Sequence, residues 1–545
     1  MNPGIFGRLR SFLTGALANP ATAPGSIWKD GEEYILVRRS EWEALQRDNR
    51  ELKEQLAQAL ALIRELQAEN ATLRAENAAL RADNAALRAE NAELKARVEA
   101  LEEKLRTSSQ NSSKPPSSDP PSVEKPPRTN PERGKRKPGA QQGHEPANRT
   151  LVPAEEVDAV VECLPEGQCD CGGQVVVPNG AAPERKQVLE IPKVKPYATD
   201  YLIYSGVCKQ CGKRHCGKLP EGVPDGMLGP RAMALVAMLS GRYHLGKRGV
   251  MELLRDLFGL SLCLGTVSNT EARVSDTLGP PVDEARGFVQ EQPVLHGDET
   301  GHKVAGKKAW MWVAATACVT VFMIRFSRGA EAAKELLGEA FRGILVSDRW
   351  SAYNWVSTAR RQLCWAHLLR DFTKISERGG RSAEIADPIL AHVQRMFHLW
   401  HQVRDGTLSR QGFQLAMAPI RVQVESILQS GTVCGQPKTE KTCANILKFK
   451  LALWTFVEVE GVEPTNNFAE RAIRGYVLWR KSSFGTQADR GNLFVERMMT
   501  VSATCRQQDR NVLDFVTAAV EASLRNLPAP SLLPQSAHNA ASAAA

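Results

Sequence analysis

The 545-residue sequence has no apolar run near the ~20 residues that a bilayer-spanning helix needs, so no helical membrane span is expected. Its twelve cysteines are too unevenly placed for the disulfide framework of a small secreted domain, and six of them crowd between Cys163 and Cys216. That distribution fits a reducing, cytoplasmic setting with one metal site. The excess of positive charge is small, +9, which favours a polyanionic partner but leaves the placement of charge to identify it. Met1 to Pro20 sets Arg8 and Arg10 in a weakly apolar stretch, a poor match to a targeting peptide. One core does not suffice at this length, and roughly 100 to 200 residues per domain implies about three or four units.

From Leu52 to Leu105 a seven-residue register is unbroken. Position d holds Leu52, Ala59, Leu66, Leu73, Leu80, Leu87, Leu94 and Leu101, and position a holds Leu56, Ile63, Asn70, Asn77, Asn84, Asn91, Val98 and Leu105. After an N-terminal segment 1–40, this predicts a leucine-zipper coiled coil over 41–106. Asn at a costs stability because its amide must find a partner across the seam, and four in succession are satisfied together only by parallel strands in register. Glu69, Glu76, Asp83 and Glu90 at g each face Arg74, Arg81, Arg88 and Lys95 at e of a partner helix. Identical chains satisfy every pair, so a homodimer follows. The zipper lacks a basic arm: residues 29–50 carry five basic and six acidic residues, which argues against a zipper transcription factor.

Ser108 to Asp119 is polar and helix-breaking, and opens a Pro/Ser-rich basic linker over 107–150. Lys125, Arg128, Arg133, Lys135, Arg136 and Lys137 follow, opposed only by Glu124 and Glu132. Such an arm tracks a DNA backbone or is a solvated tail. Next, Cys169-Asp-Cys171-Gly-Gly and Cys208-Lys-Gln-Cys211-Gly form two knuckles, separated by strand-like segments around Val188 to Ile191 and Ala198 to Tyr204. This outlines a zinc-ribbon-like β unit over 151–220, whose four closed ligands would make Zn²⁺ structural; reduced structural cysteines are the plain alternative. The first pair is one residue short, which leaves Cys163 as an alternate ligand there and Cys216 or His215 in the second.

Residues 221–288 are rich in helix formers. Lys247 to Phe258, the turn Gly259-Leu260-Ser261 and a helix over Gly265 to Val274, opened by Thr266 or Ser268, outline a helix-turn-helix-like module. Arg242, Lys247, Arg248 and Arg255 suit phosphate contacts, although a structural helix pair has the same outline.

Val294 to Thr300 reads as a buried strand ending in an acid, with His296, Asp298 and Thr300 on one face and Glu299 on the other. Strand-like Ala309 to Ala317 and Val319 to Phe326, helical Ala330 to Phe341, and Gly343 to Asp348 follow. The order β-β-β-α-β with acids ending the first and fourth strands is that of the ribonuclease H-like fold, in which those strands are neighbours and their carboxylates reach a shared metal. Pro464 to Arg474 reads as a helix start capped by Thr465 or Asn466. It places Glu470 among Arg471, Arg474, Arg480 and Lys481, as a site binding both Mg²⁺ and a phosphodiester requires; a surface ion-pair helix is the plain alternative. The catalytic α/β domain is expected over 289–525, with an α-helical insertion at 382–457 and a Pro-, Ser- and Ala-rich disordered tail over 526–545. The fold class is multidomain α+β.

Taken in order, several blocks resemble the insertion sequence sixty-six family of bacterial transposases over nearly the whole chain. They are Asn111-Ser-Ser-Lys-Pro-Pro-Ser-Ser-Asp119, the cysteine knuckles, His296-Gly-Asp298-Glu-Thr, Ser347-Asp348 and Asn466-Asn-Phe-Ala-Glu470-Arg-Ala-Ile-Arg. The resemblance implies a DDE catalytic domain, a zinc-binding domain and an N-terminal zipper, and carries the three acids onto Asp298, Asp348 and Glu470. Cys364-Trp-Ala-His367 resembles the Cys-x-x-His element that precedes the last acid in several DDE lineages. Arg349-Trp350 departs from the pattern, where a small turn would follow the second Asp. The expected chemistry is metal-dependent phosphodiester cleavage at transposon ends and strand transfer into target DNA. Two Mg²⁺ (or Mn²⁺) ions per site would be held by the three acids, with Arg471, Arg474, Arg480 and Lys481 on phosphates. Accessory proteins are further possible partners. The rival readings are a non-catalytic zipper/zinc DNA-binding regulator and a nuclease of the same fold without strand transfer.

Overall fold

The computed structural model describes residues 26–30, 32–35, 38–108, 111–112 and 150–534. The basic-arm residues Lys125, Arg128, Arg133, Lys135, Arg136 and Lys137 lie outside them. Two compact units divide the chain, residues 1–106 and 107–545. Among the described residues, no helix is long and apolar enough to cross a membrane.

In the first unit an antiparallel hairpin, β1 (Ser26–Lys29) and β2 (Glu32–Ile35), precedes one 68-residue helix, α1 (Arg39–Arg106). No Gly or Pro falls inside α1, and Ile63, Thr72 and Val98 are its only β-branched residues. Its Ala, Leu, Glu and Arg propensities therefore run unopposed for about 100 Å. Leu66, Leu73, Leu80 and Leu87 are each half exposed or more along one stripe. Asn77 and Asn91 turn their amides back to the carbonyls of Leu73 and Leu87, at 3.1 Å each.

The second unit starts with a turn in which the buried Asn111 accepts the Ser108 N–H (2.9 Å) and donates to Glu377 (2.6 Å). Within 150–220 the paired strands are the short hairpin β3 (Ser205–Val207) and β4 (Arg214–Cys216). The strands expected around Val188 to Ile191 and Ala198 to Tyr204 do not form. Val188, Leu189, Ile191, Tyr197 and Tyr204 are exposed there, so no apolar face exists to hold a larger sheet.

Beyond Gly229 the chain is densely packed. Four helices come first: α2 (Pro230–Gly241), α3 (Lys247–Phe258), α4 (Leu264–Thr277) and α5 (Gly279–Gln290). Gly259 closes α3 in the left-handed conformation (φ 68°), which glycine adopts without strain. The cap of α4 is Cys263, whose sulfur accepts the Thr266 N–H, rather than Thr266 or Ser268. A five-stranded sheet follows, from β5 (Val294–Val304), β6 (Lys307–Ala315), β7 (Thr320–Arg325), then helix α6 (Ala330–Leu337), β8 (Ile344–Ser347) and β9 (Arg361–Leu363). Its order is β7-β6-β5-β8-β9; β5, β6 and β7 pair antiparallel, while β8 runs parallel to both β5 and β9.

The first strand does not end at the acid, as the sequence suggested. It continues past Asp298 to pair Val304 with Lys307. Gly297 and Gly301 mark close approaches within it: a Cβ at Gly297 would lie 3.2 Å from Leu345 Cδ1, and one at Gly301 3.5 Å from Arg480 Nη1.

Helices α7 (Trp365–Ser376), α8 (Gly380–Arg404), α9 (Arg410–Gly431), α10 (Pro437–Leu447) and α11 (Thr455–Glu458) form a second core with β9. In it Trp400 packs against Phe413 and Phe456, with ring centroids 5.6 and 5.7 Å away. The first core joins α2 to α5 with the sheet and with α12 (Asn467–Ser483), α13 (Asp489–Gln507) and α14 (Val512–Leu524). Strand β8 feeds both: Leu345 belongs to the first core and Val346 to the second, the two-sided burial expected of a central parallel strand.

The outer strand β7 is covered by α13. Thr504, Thr500 and Glu496, one helical turn apart, accept the N–H groups of Thr320, Phe322 and Ile324 at 3.1, 3.0 and 2.6 Å. A four-residue helical step matches the two-residue step of a strand, so one polar stripe satisfies alternate strand amides. Thr500→Val keeps the shape but orphans the Phe322 N–H, and is expected to cost about 1–3 kcal/mol in denaturant unfolding, against little for Thr500→Ser.

The tail is shorter than expected. Leu532 is fully buried, its N–H donates to Glu284 (3.2 Å) and its carbonyl accepts from Gln508 (2.9 Å), so the packed chain extends through residue 534. One apolar anchor in a Pro/Ser-rich stretch suffices to dock it. Residues 535–545 lie outside the described residues.

Candidate active site

In the parallel pair β5–β8, His296 stands opposite Val346. Asp298 and Asp348 each lie two residues further on, so the register sets the two aspartates side by side where β8 ends. Asp298 Oδ1 accepts the Glu299 N–H (2.9 Å), and Asp348 Oδ1 accepts the Trp350 N–H (2.8 Å). Burial pushes the Asp298 carboxyl well above the usual carboxylate range, and the negative charges of Glu299, Asp348 and Glu470 push it the same way.

Glu470 is carried in by the first turn of α12. Asn466 stands at the N-cap, but its side chain caps nothing. It reaches across to β5 instead, donating to the Gly297 carbonyl (2.8 Å) and accepting from His296 Nδ1 (3.2 Å). Its own N–H donates to Cys364 Sγ (3.1 Å) at the start of α7. One asparagine thereby fastens β5, α7 and α12 together. Burial holds His296 down to about 4, so it is a neutral donor at this junction.

Glu470 Oε1 lies 3.7 Å from both His367 Nδ1 and Arg370 Nη2. The Oε1 and Nδ1 atoms are buried and lack a hydrogen-bond partner. Ligand atoms of Cys364, His367 and Glu470 all fall within 4.8 Å of one another, the one such trio found among the described residues. Asp348 and Glu470 both lie in electrostatic reach of Asp298, without the three being packed as a single-ion cage.

Glu299 faces away, as strand alternation requires. Arg328 Nη2 (2.8 Å) and the Tyr353 hydroxyl (2.8 Å) donate to it, and the Arg328 guanidinium lies 3.7 Å from the ring centre of Trp350 and 4.5 Å from that of Trp310. Trp350 therefore has a task after the second aspartate, and Arg349 pairs with Asp371. Arg361 had no sequence signal: it is fully buried and donates to the Asp348 carbonyl (2.9 Å) and Ser347 Oγ (3.2 Å).

The expected DNA-contacting cations divide. Arg471, Arg474, Lys481 and Arg248 are exposed. Arg480 is not free for phosphate, because it donates to the Gly301 carbonyl and to Thr300 Oγ1 (3.2 Å) and straps α12 to β5. Lys247 is likewise engaged, with Glu271 (2.9 Å) and Ser268 (2.8 Å), tying α3 to α4. Lys135, Arg136 and Lys137 lie outside the described residues.

All twelve cysteines are free thiols. Cys169 and Cys171 share one turn, closed by the Cys169 N–H on the Gly173 carbonyl (2.9 Å); Cys208 and Cys211 share another between β3 and β4, closed by the Cys208 N–H on the Lys213 carbonyl (2.9 Å). Backbone hydrogen bonds from Cys171 and Cys211 hold the thiols of Cys169 and Cys208 below their usual range. Cys163 and Cys216 are exposed, and Cys216 Sγ lies 3.1 Å from Ser205 Oγ.

A family described as Transposase IS66 matches residues 225–492, which include all three acids, Cys364 and His367. A family of unknown function, DUF6444, matches residues 53–150. The chain is 26% identical to the uncharacterized protein y4qI of Sinorhizobium fredii (strain NBRC 101917 / NGR234), over 69% of this chain and 74% of that protein. It is also 26% identical to the uncharacterized protein y4jD of the same strain, over 42% of this chain and 49% of that protein. Through residues 225–492, the chain belongs to the IS66 family of transposases.

Proposed function

We propose that the protein is a DDE transposase with a ribonuclease H-like catalytic domain, which cleaves the ends of its element and joins them to target DNA. The observation that carries this is the β5–β8 register, which sets Asp298 beside Asp348, with the charge of Glu470 reaching Asp298. A carboxyl raised by burial and by neighbouring negative charges is costly to ionise in the metal-free protein and suits one that receives cations. Asp298 and Asp348 would hold the ions and Glu470 would complete the set. Bound there, two Mg²⁺ or Mn²⁺ ions would activate a water or a 3′-hydroxyl and stabilise the leaving oxygen. Arg471, Arg474 and Lys481 lie on the exposed side of α12 to meet the DNA backbone, and Arg480 holds that helix in place. Cys169, Cys171, Cys208 and Cys211 hold a structural Zn²⁺, and α1 pairs with a second copy in parallel, bringing two active sites together.

The test is incubation of the full chain with a duplex carrying the inverted repeat that flanks its gene, with and without Mg²⁺. Nicked ends joined to a target plasmid, absent in Glu470→Gln, are expected. Nicks that are never joined would mean a plain nuclease, and metal-independent binding without cleavage would mean a regulator.

A further inference from the structure

We infer that Cys364, His367 and Glu470 form a binding site for a thiophilic divalent cation of the zinc type. The site shares Glu470 with the carboxylate set, and only that consequence rests on the function proposed above. Cys364 is the N-cap of α7 and His367 follows three residues on, so both side chains come to one side of the helix start. Glu470 approaches from α12, held there by Asn466.

The spacing favours a bridging ion. At 3.7 Å, His367 Nδ1 and Glu470 Oε1 are too far apart to hydrogen-bond. Roughly 3.3–3.8 Å is the edge of a tetrahedron with zinc bonds of about 2.0–2.3 Å. A buried ring nitrogen and a buried carboxylate oxygen, each without a partner, call for something between them. The Asn466 N–H on Cys364 Sγ is the outer bond that a thiolate ligand uses.

The charges around the trio also balance. Asp348 and Asp371 lie in electrostatic reach of His367, Asp371 being paired with Arg349. Arg370 is the cation near Glu470 that an ion would displace. On binding, the Cys364 thiol gives its proton to solvent, and thiolate plus carboxylate neutralise the two charges of the ion. Sulfur, imidazole and carboxylate select zinc over Mg²⁺, which takes oxygen ligands, and leave a fourth position for water. A zinc ion held here draws Glu470 away from the carboxylate set.

The test uses the full chain stripped with a chelator and titrated with Co²⁺, whose thiolate charge-transfer absorption reports sulfur ligation. Cys364→Ser and His367→Gln are each expected to lose one cobalt equivalent and its share of the absorption, and Glu470→Gln to bind that equivalent about 10- to 100-fold more weakly. The Cys169/Cys171 and Cys208/Cys211 pairs are common to all variants and cancel in the difference. If Cys364→Ser fails to fold, His367→Gln decides. Wild-type cobalt stoichiometry and absorption in His367→Gln would overturn the site. Loss of the cobalt signal in the variants, together with a wild type that never cleaves DNA, would keep the site and sink the catalytic reading alone.

Discussion

Asp298→Asn is expected to abolish metal-dependent strand cleavage, by about 10³-fold or more, while raising the melting temperature of the metal-free protein. The two results share one cause. The Asp298 carboxyl is pushed well above its ordinary range by burial and by Glu299, Asp348 and Glu470, so the folded state holds its proton more tightly than the unfolded chain does. For a raised carboxyl, stability is full below the unfolded value of about 3.9 and falls as pH rises towards the folded value. At neutral pH that loss is present, and an amide, which cannot ionise but still accepts the Glu299 N–H, removes it. Each kcal/mol recovered raises the melting point by about 2–4 °C for a domain of this size. Mg²⁺ should stabilise the wild type and not the variant. Unchanged melting together with retained cleavage would refute the assignment.

The buried histidines act with the opposite sign, and this variant removes one of the raised carboxyls that mask them. Burial holds His296 and His302 down to about 4, against about 6.5 when exposed. Their contribution is full above about pH 6.5 and is lost as pH falls towards 4, because the unfolded chain takes up protons first. Calorimetry of Asp298→Asn between pH 4 and 8 is therefore expected to show a steeper loss on the acid side than the wild type, in which the two slopes partly cancel.

Much of this centre was legible in the sequence because it depends on periodicity. Strand alternation alone separates Asp298 from Glu299, and Ile344 to Ser347 reads as a buried strand followed by an acid. Long-range roles were not legible. Nothing local distinguishes Asn466, which ties three elements together, from an ordinary helix cap. Arg480 and Lys247 looked like cations awaiting phosphate, yet each has an internal partner from another element. Arg361 is fully buried and carries no periodic signal. The extent of β5 was misjudged because the acid read as the strand's end, whereas pairing with β6 carries the strand on to Val304. Leu532 shows the same limit at the C-terminus, where a single side chain outweighed the composition around it.

Leu80→Lys combined with Leu87→Lys is expected to convert the proposed dimer to monomer at micromolar concentration, as read by sedimentation equilibrium. Both leucines stand at d and are more than half exposed on α1. Pairing would bury two per chain, each contributing about 1.5–3 kcal/mol, and lysine both removes that contribution and adds like charge across the seam. Since micromolar affinity corresponds to about 8 kcal/mol, four lost leucines in a dimer suffice to dissociate it. Asn77→Ile with Asn84→Ile separates strength from specificity: the seam should tighten, while control of register and of strand number is lost and higher oligomers appear. If the zipper exists to bring two catalytic domains onto two ends, the lysine variant should still nick a single end at near wild-type rate but fail to join paired ends. A lysine variant that remains dimeric would show that self-association lies outside α1, and one that joins paired ends as a monomer would show that the helix serves another purpose.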